Sequence, residues 1–182
     1  MVPITRVTTD KVLKRLDASS KVAFGKDLPW PYNGMVADIT SAIETGCNYL
    51  AALGLSCYTE FCGRELLFGG DATKKDWECF NEFIRYMGAN DLLNKQITFE
   101  GNRIFFKDAV RNGLVHHYFM KVEQGVVVMI TDDAEANRLG FLINDTRKVA
   151  MVVVPFFDLF CSGLTRAKSE GRIPDNRVPT NP

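Results

Sequence analysis

The strongest constraint on the fold is the apolar periodicity between Met35 and Phe68. Apolar or small residues alternate three and four positions apart along this stretch, at Val36, Ile39, Ile43, Gly46, Leu50, Leu53 and Cys57. That spacing places all of them on one side of an α-helix. The sequence therefore predicts one long amphipathic helix ended by Gly69 and Gly70, whose apolar seam other helices must cover.

Several other segments have helical periodicity or helix-capping residues. They are Val7 to Asp17, Thr73 to Met87, Ala89 to Lys95, Asn102 to Phe119, and a last helix from Asp145 or Thr146 to about Lys168. The second of these has the stripe Trp77, Phe80, Ile84 and Met87, followed by Gly88 as a C-terminal signal. In the last helix, Pro155 is expected either to kink the helix or to mark its true start.

Residues 122–145 carry a β-pattern instead. The apolar runs from Gly125 to Thr131 and from Leu139 to Asn144 are separated by a polar stretch, DDAEANR. Such an arrangement is typical of a two-stranded β-hairpin. An isolated hairpin is marginally stable in water, so it should pack on the helices or on a partner.

These elements together predict a single mainly α domain over residues 1–170. Its architecture is expected to be an antiparallel helical bundle with a β-hairpin inserted near residues 122–145. A chain of 182 residues has the length of one domain. Residues 171–182 contain three prolines and no apolar stripe, so a disordered tail is expected there.

Composition restricts the function classes. The 22 basic and 22 acidic side chains cancel, so any RNA or DNA site must be local. The sequence contains neither a run of about twenty apolar residues nor an apolar signal region, which favours a cytoplasmic protein without a membrane span. The five cysteines are odd in number and form no CxxC pair, and only two histidines are present. We therefore expect small buried cysteines, no disulfide framework, no metal site and no cofactor.

The residues best suited to acid–base chemistry lie between positions 108 and 118. Asp108, Asn112 and His116 are four residues apart, so a helix would place them on one face, with Arg111 beside it. An imidazole transfers protons near neutral pH, and a guanidinium stabilises charge on a phosphate in the transition state. Asn112 can hold the imidazole tautomer or bind a phosphate oxygen. This set predicts metal-independent cleavage of a phosphodiester.

The string Arg111-Asn112-x-x-x-His116 resembles the Arg-polar-x-x-x-His motif of HEPN domains. The resemblance extends over the predicted helical core, from Met35 to Phe119 and from Thr146 to Lys168. It implies an all-helical bundle in which Arg111 and His116 carry endoribonuclease activity without metal. It also implies a catalytic cleft shared by two protomers, and a toxin–antitoxin or defence context with RNA as substrate and an antitoxin protein as partner.

The spacing within the motif has a consequence for the oligomeric state. Five residues along a helix rotate Arg111 and His116 apart by about 140°, so they do not share one face. A cleft formed by His116 of one protomer and Arg111 of the other removes this difficulty. The motif therefore predicts a homodimer if it is catalytic.

Besides Asp108, four further residues are candidates for supporting roles. Glu60 and Arg64 are four apart near the end of the long predicted helix, so Glu60 could orient His116, or the two could form a solvated ion pair. His117 points about 100° away from His116 and is either supporting or a surface residue. Tyr118 completes the set, next to the two histidines.

Two non-enzymatic alternatives stay open at this point. In the first, Arg111, Asn112 and His116 are structural, and the bundle serves for dimerisation or for binding a nucleotide or partner protein. In the second, the protein is a ligand sensor with an apolar pocket among Phe105, Phe106 and Phe156. The surroundings of His116 would discriminate the enzyme from the structural module.

Overall fold

The computed structural model describes residues 27–94, 96–99, 102–105, 127–131, 141–144 and 148–174, and within these ranges the chain is mainly α-helical. The helices are α1 (Tyr32–Glu44), α2 (Asn48–Cys62), α3 (Asp76–Tyr86), α4 (Asn90–Asn94) and α5 (Val153–Ser169), and a π-helical turn (Gly63–Leu67) extends α2. The strands are β1 (Gln96–Phe99), β2 (Asn102–Phe105), β3 (Val127–Thr131), β4 (Phe141–Asn144) and β5 (Lys148–Val152). The mainly α prediction is confirmed, whereas the HEPN-type bundle stays a prediction.

The long helix predicted from Met35 to Phe68 is divided into α1, α2 and the π-helical turn. The break lies at residues 45–47, where Gly46 has a φ of +71°, a left-handed conformation that favours glycine. The helix also starts earlier than predicted, at Tyr32, directly after Pro31. Gly69 and Gly70, with φ of +61° and +78°, end the helical segment as predicted.

The break turns α1 and α2 into an antiparallel helical hairpin. Near its open end the Cys62 and Met35 sulfurs lie 4.0 Å apart, and further along the Tyr58 hydroxyl donates to Asp38 over 2.7 Å. Because the second helix starts in a new phase, the predicted seam holds only on α1, where Val36, Ile39 and Ile43 are buried. On α2 the buried side is formed by other residues, and these are Ala51, Ala52, Leu55, Ser56, Thr59 and Cys62.

Helix α3 lies against the end of α2 at very short distance. A Cβ built on Gly63 would lie 1.9 Å from the backbone oxygen of Cys79, so only glycine permits this approach. The helix starts later than predicted, at Asp76, where Glu78 accepts a hydrogen bond from the Lys75 N–H over 2.9 Å. Its buried residues are Cys79, Phe80, Phe83 and Ile84. Trp77, which was predicted in the stripe, is 43% exposed.

The predicted β-hairpin between residues 122 and 145 is not confirmed. Both of its arms are strands, β3 and β4, but they do not pair with each other. The sheet has the order β3-β5-β4, with β3 parallel and β4 antiparallel to β5. Four of the five residues of β5, Val149 to Val152, are apolar, which suits a central strand that is paired on both sides.

Placing β5 at the centre also corrects the start of the last helix. Residues 148–152, predicted as helical, are strand, and α5 begins at Val153. Pro155 is the third residue of α5, where its missing N–H removes no intrahelical bond, so it marks the start and does not kink the helix. The helix ends at Ser169, close to the predicted Lys168.

The predicted helix from Asn102 to Phe119 is wrong at its beginning. Asn102 to Phe105 is strand β2, which pairs antiparallel with β1. The register pairs Phe99 with Asn102, and two residues separate them in the sequence. The remainder of the predicted helix lies outside the described residues, as does the predicted helix from Val7 to Asp17.

The largest fully buried side chains of the core include phenylalanines of α3 and α5. Phe83 and Phe160 are fully buried and their ring centroids lie 5.8 Å apart. Phe156 is also buried in this core, at 1% exposure. The chain stays packed beyond α5, because Ile173 is 3% exposed and Arg172 donates to the Leu66 carbonyl over 3.1 Å. The tail predicted from residue 171 is therefore ordered at least to residue 174.

A polar cluster fixes the end of α5 against α3. The Glu170 carboxylate accepts hydrogen bonds from Arg172, Arg166 and the Tyr86 hydroxyl, over 2.9, 2.7 and 2.9 Å. The guanidinium of Arg166 also lies 4.3 Å from the centroid of the Tyr86 ring. These donors, first that of Arg172, lower the pKa of Glu170 from 4.5 to about 2.

The Glu170→Gln variant is expected to melt at a lower temperature than the wild type at pH 7. A lowered pKa in the folded state means that the carboxylate stabilises the fold above its ordinary pKa of 4.5 and loses this effect as the pH falls toward about 2. The difference in melting temperature should therefore shrink over that range. Circular dichroism melts from pH 2 to pH 7, with the exposed Glu44→Gln as control, measure it. A difference that is constant with pH would contradict this role.

Candidate functional site

The catalytic motif predicted from the sequence lies outside the described residues. This applies to the three principal residues and to three of their predicted supporters: Arg111, Asn112, His116, Asp108, His117 and Tyr118. Their roles stay predictions. Two predicted supporters are described, Glu60 in α2 and Arg64 in the π-helical turn.

Arg64 holds the loop between the π-helical turn and α3. Its Nη2 lies 2.6 Å from Asp76 Oδ1, and its Nη1 donates to the carbonyls of Lys74 and Asp71 over 3.0 and 3.3 Å. Asp76 is in the first turn of α3, where a carboxylate is favourable for the helix dipole. The side chain of Arg64 is 22% exposed. The structure thus gives Arg64 a structural role that the four-residue spacing to Glu60 did not suggest.

The loop held by Arg64 is itself a compact turn. The Asp71 carboxylate accepts hydrogen bonds from the Thr73 hydroxyl and N–H over 2.7 and 2.9 Å. These bonds lower the pKa of Asp71. The π-helical turn, this loop and the start of α3 therefore form one connected polar unit, with Arg64 as its central donor.

Glu60 lies one helical turn before Arg64 and is half-buried. Its predicted pairing with Arg64 and its predicted action on His116 both stay predictions. The preceding residue, Thr59, is fully buried, and its hydroxyl has no hydrogen-bond partner. A buried hydroxyl without a hydrogen bond lowers the free energy of unfolding by about 1–3 kcal/mol. Thr59 is therefore a polar group that does not contribute to stability through its hydroxyl.

The described residues contain a cleft that the sequence did not indicate. It lies between α1 and α2, has a volume of about 360 Å³, and is lined by residues that include Asp38, Ile39, Leu50, Gly54 and Tyr58. Burial and the hydrogen bond to Asp38 raise the pKa of Tyr58 to about 12, so its hydroxyl is protonated at neutral pH. The two partners are twenty residues apart and meet only because the chain reverses at residues 45–47.

All five cysteines are free thiols. Cys62, Cys79 and Cys161 are buried as predicted, and burial raises the pKa of the Cys62 thiol. Cys47 and Cys57 are exposed, which corrects the prediction of five buried residues. Within the described ranges, no three residues among His, Cys, Asp and Glu are grouped as metal ligands. Among the helices described, none has both the length and the apolar character to cross a membrane.

Comparisons with protein-family models, with curated proteins and with solved structures find no match to this chain. The resemblance to HEPN domains therefore depends on the Arg111–His116 string and on the mainly helical character of the fold.

Proposed function

We propose that the protein is a metal-independent endoribonuclease of the HEPN type that acts as a homodimer. The observation that carries the proposal is the string Arg111-Asn112-x-x-x-His116 in a chain whose described residues are mainly helical and whose only two histidines are adjacent. Histidine can transfer a proton and arginine can stabilise charge on the phosphate, and both are needed when the 2′-hydroxyl of RNA attacks the adjacent phosphate.

The proposed reaction needs a proton acceptor for the attacking hydroxyl, a proton donor for the leaving oxygen, and a cation for the phosphate; His116 takes one of the two proton-transfer roles and solvent water the other. The 2′-hydroxyl of the substrate attacks the adjacent phosphorus, and the bond from phosphorus to the 5′-oxygen breaks. His116 removes the proton from the nucleophile or donates one to the leaving oxygen, and Arg111 stabilises the charge on the phosphate oxygens. The products are a cyclic phosphate and a free 5′-hydroxyl. Asn112 holds the imidazole tautomer or a phosphate oxygen.

The biological setting of such an enzyme would be a toxin–antitoxin or defence system, with an antitoxin protein as the regulatory partner. The net charge of zero does not gather RNA over the whole surface. Contacts to the substrate should therefore come from the basic residues near the motif, Arg103, Lys107 and Lys121.

Ribonuclease activity is expected to be unchanged by excess EDTA. The proposed mechanism uses an imidazole and a guanidinium, and it assigns no step to a metal ion. Cleavage of a fluorescent single-stranded RNA should be followed with and without chelator, using a magnesium-dependent nuclease as the positive control. Activity that disappears with EDTA and returns with magnesium or manganese would contradict the assignment.

A non-catalytic module for dimerisation or for binding a nucleotide or partner protein is the second candidate. The observation that favours it is the exposure of large apolar residues on α2, with Leu50 54% and Phe61 37% exposed. Exposed apolar side chains that share one face of a helix occur at interaction surfaces. The two candidates differ in one measurement, because only the enzyme cleaves RNA under the conditions above.

A further inference from the structure

We draw no further inference here: the strongest candidate, the largely apolar cleft between α1 and α2 that Cys47 and Leu50 border, carries nothing, because nothing among the described residues shows what covers it.

Discussion

Replacing Gly63 by alanine is expected to destabilise the fold by about 3 kcal/mol or more, the upper part of the range for overpacked sites. The added Cβ would lie 1.9 Å from the backbone oxygen of Cys79 and 2.6 Å from its carbonyl carbon. Backbone atoms cannot rotate away as a side chain does, so α2 and α3 must separate. For a chain of this size, the melting temperature should fall by roughly 6–12 °C.

Gly34→Ala is the matched control for this prediction. Gly34 lies within α1, and a Cβ there would have no atom within 4 Å. Alanine restricts the unfolded chain and favours a helix, so this variant should be neutral or more stable by up to about 1 kcal/mol. Thermal melts of both variants measure the difference. Equal melting temperatures would show that the contact between Gly63 and Cys79 does not determine the packing of α3.

The sequence predicted those helices whose buried residues are close together in the chain. The spacing of Val36, Ile39 and Ile43 predicted the buried side of α1, and that of Phe80 and Ile84 predicted part of α3. In both segments one amphipathic period extends without interruption. The break at residues 45–47 was missed because apolar residues continue at the same spacing beyond Gly46, although two of them, Leu50 and Cys57, are exposed.

The β-structure could be predicted as strands but not as a sheet. The runs that form β3 and β4 have the residues typical of strands, and nearest-neighbour pairing is the simplest arrangement of two such runs. The actual partner of both is β5, whose sequence also fits the apolar stripe of a helix. A short apolar run has no period that separates the two structures, so its pairing depends on tertiary contacts.

The candidate site shows the same division between local and distant contacts. A motif of six residues predicts a chemistry, because the residue types and their order are local. The contacts of Arg64 with Asp76 and the loop, and of Asp38 with Tyr58, join residues brought together by chain reversals. Helical spacing predicted Glu60, four residues earlier, as the partner of Arg64. The structure instead describes an ion pair with Asp76 at the start of α3.

Alanine at His116 is expected to reduce the rate of RNA cleavage by about 10²–10⁴, the usual effect of removing a proton-transfer group. Alanine at Arg111 is expected to cause a loss of similar size, because the charge on the phosphate is then no longer stabilised. The two side chains do different work, so neither replaces the other. On a helix, His117 points about 100° away from His116, so His117→Ala should reduce the cleavage rate much less. Cleavage of fluorescent single-stranded RNA measures the rates.

Mixing the two inactive variants tests whether the cleft is shared. In a symmetric dimer with His116 from one protomer and Arg111 from the other, a mixed dimer contains one intact site. Random exchange should then restore up to about a quarter of the wild-type activity. Without a shared cleft, the mixture stays inactive.

Thermal melts of the same proteins separate catalysis from structure. If His116 is catalytic, its imidazole faces the substrate cleft. The His116→Ala variant should then melt near the temperature of the wild type. If His116 is structural, its removal leaves a buried hydrogen-bonding partner unpaired. This lowers the free energy of unfolding by about 1–3 kcal/mol, and the variant melts several degrees lower. If the wild type does not cleave RNA and His116→Ala melts lower, the motif is structural and the ribonuclease proposal is wrong.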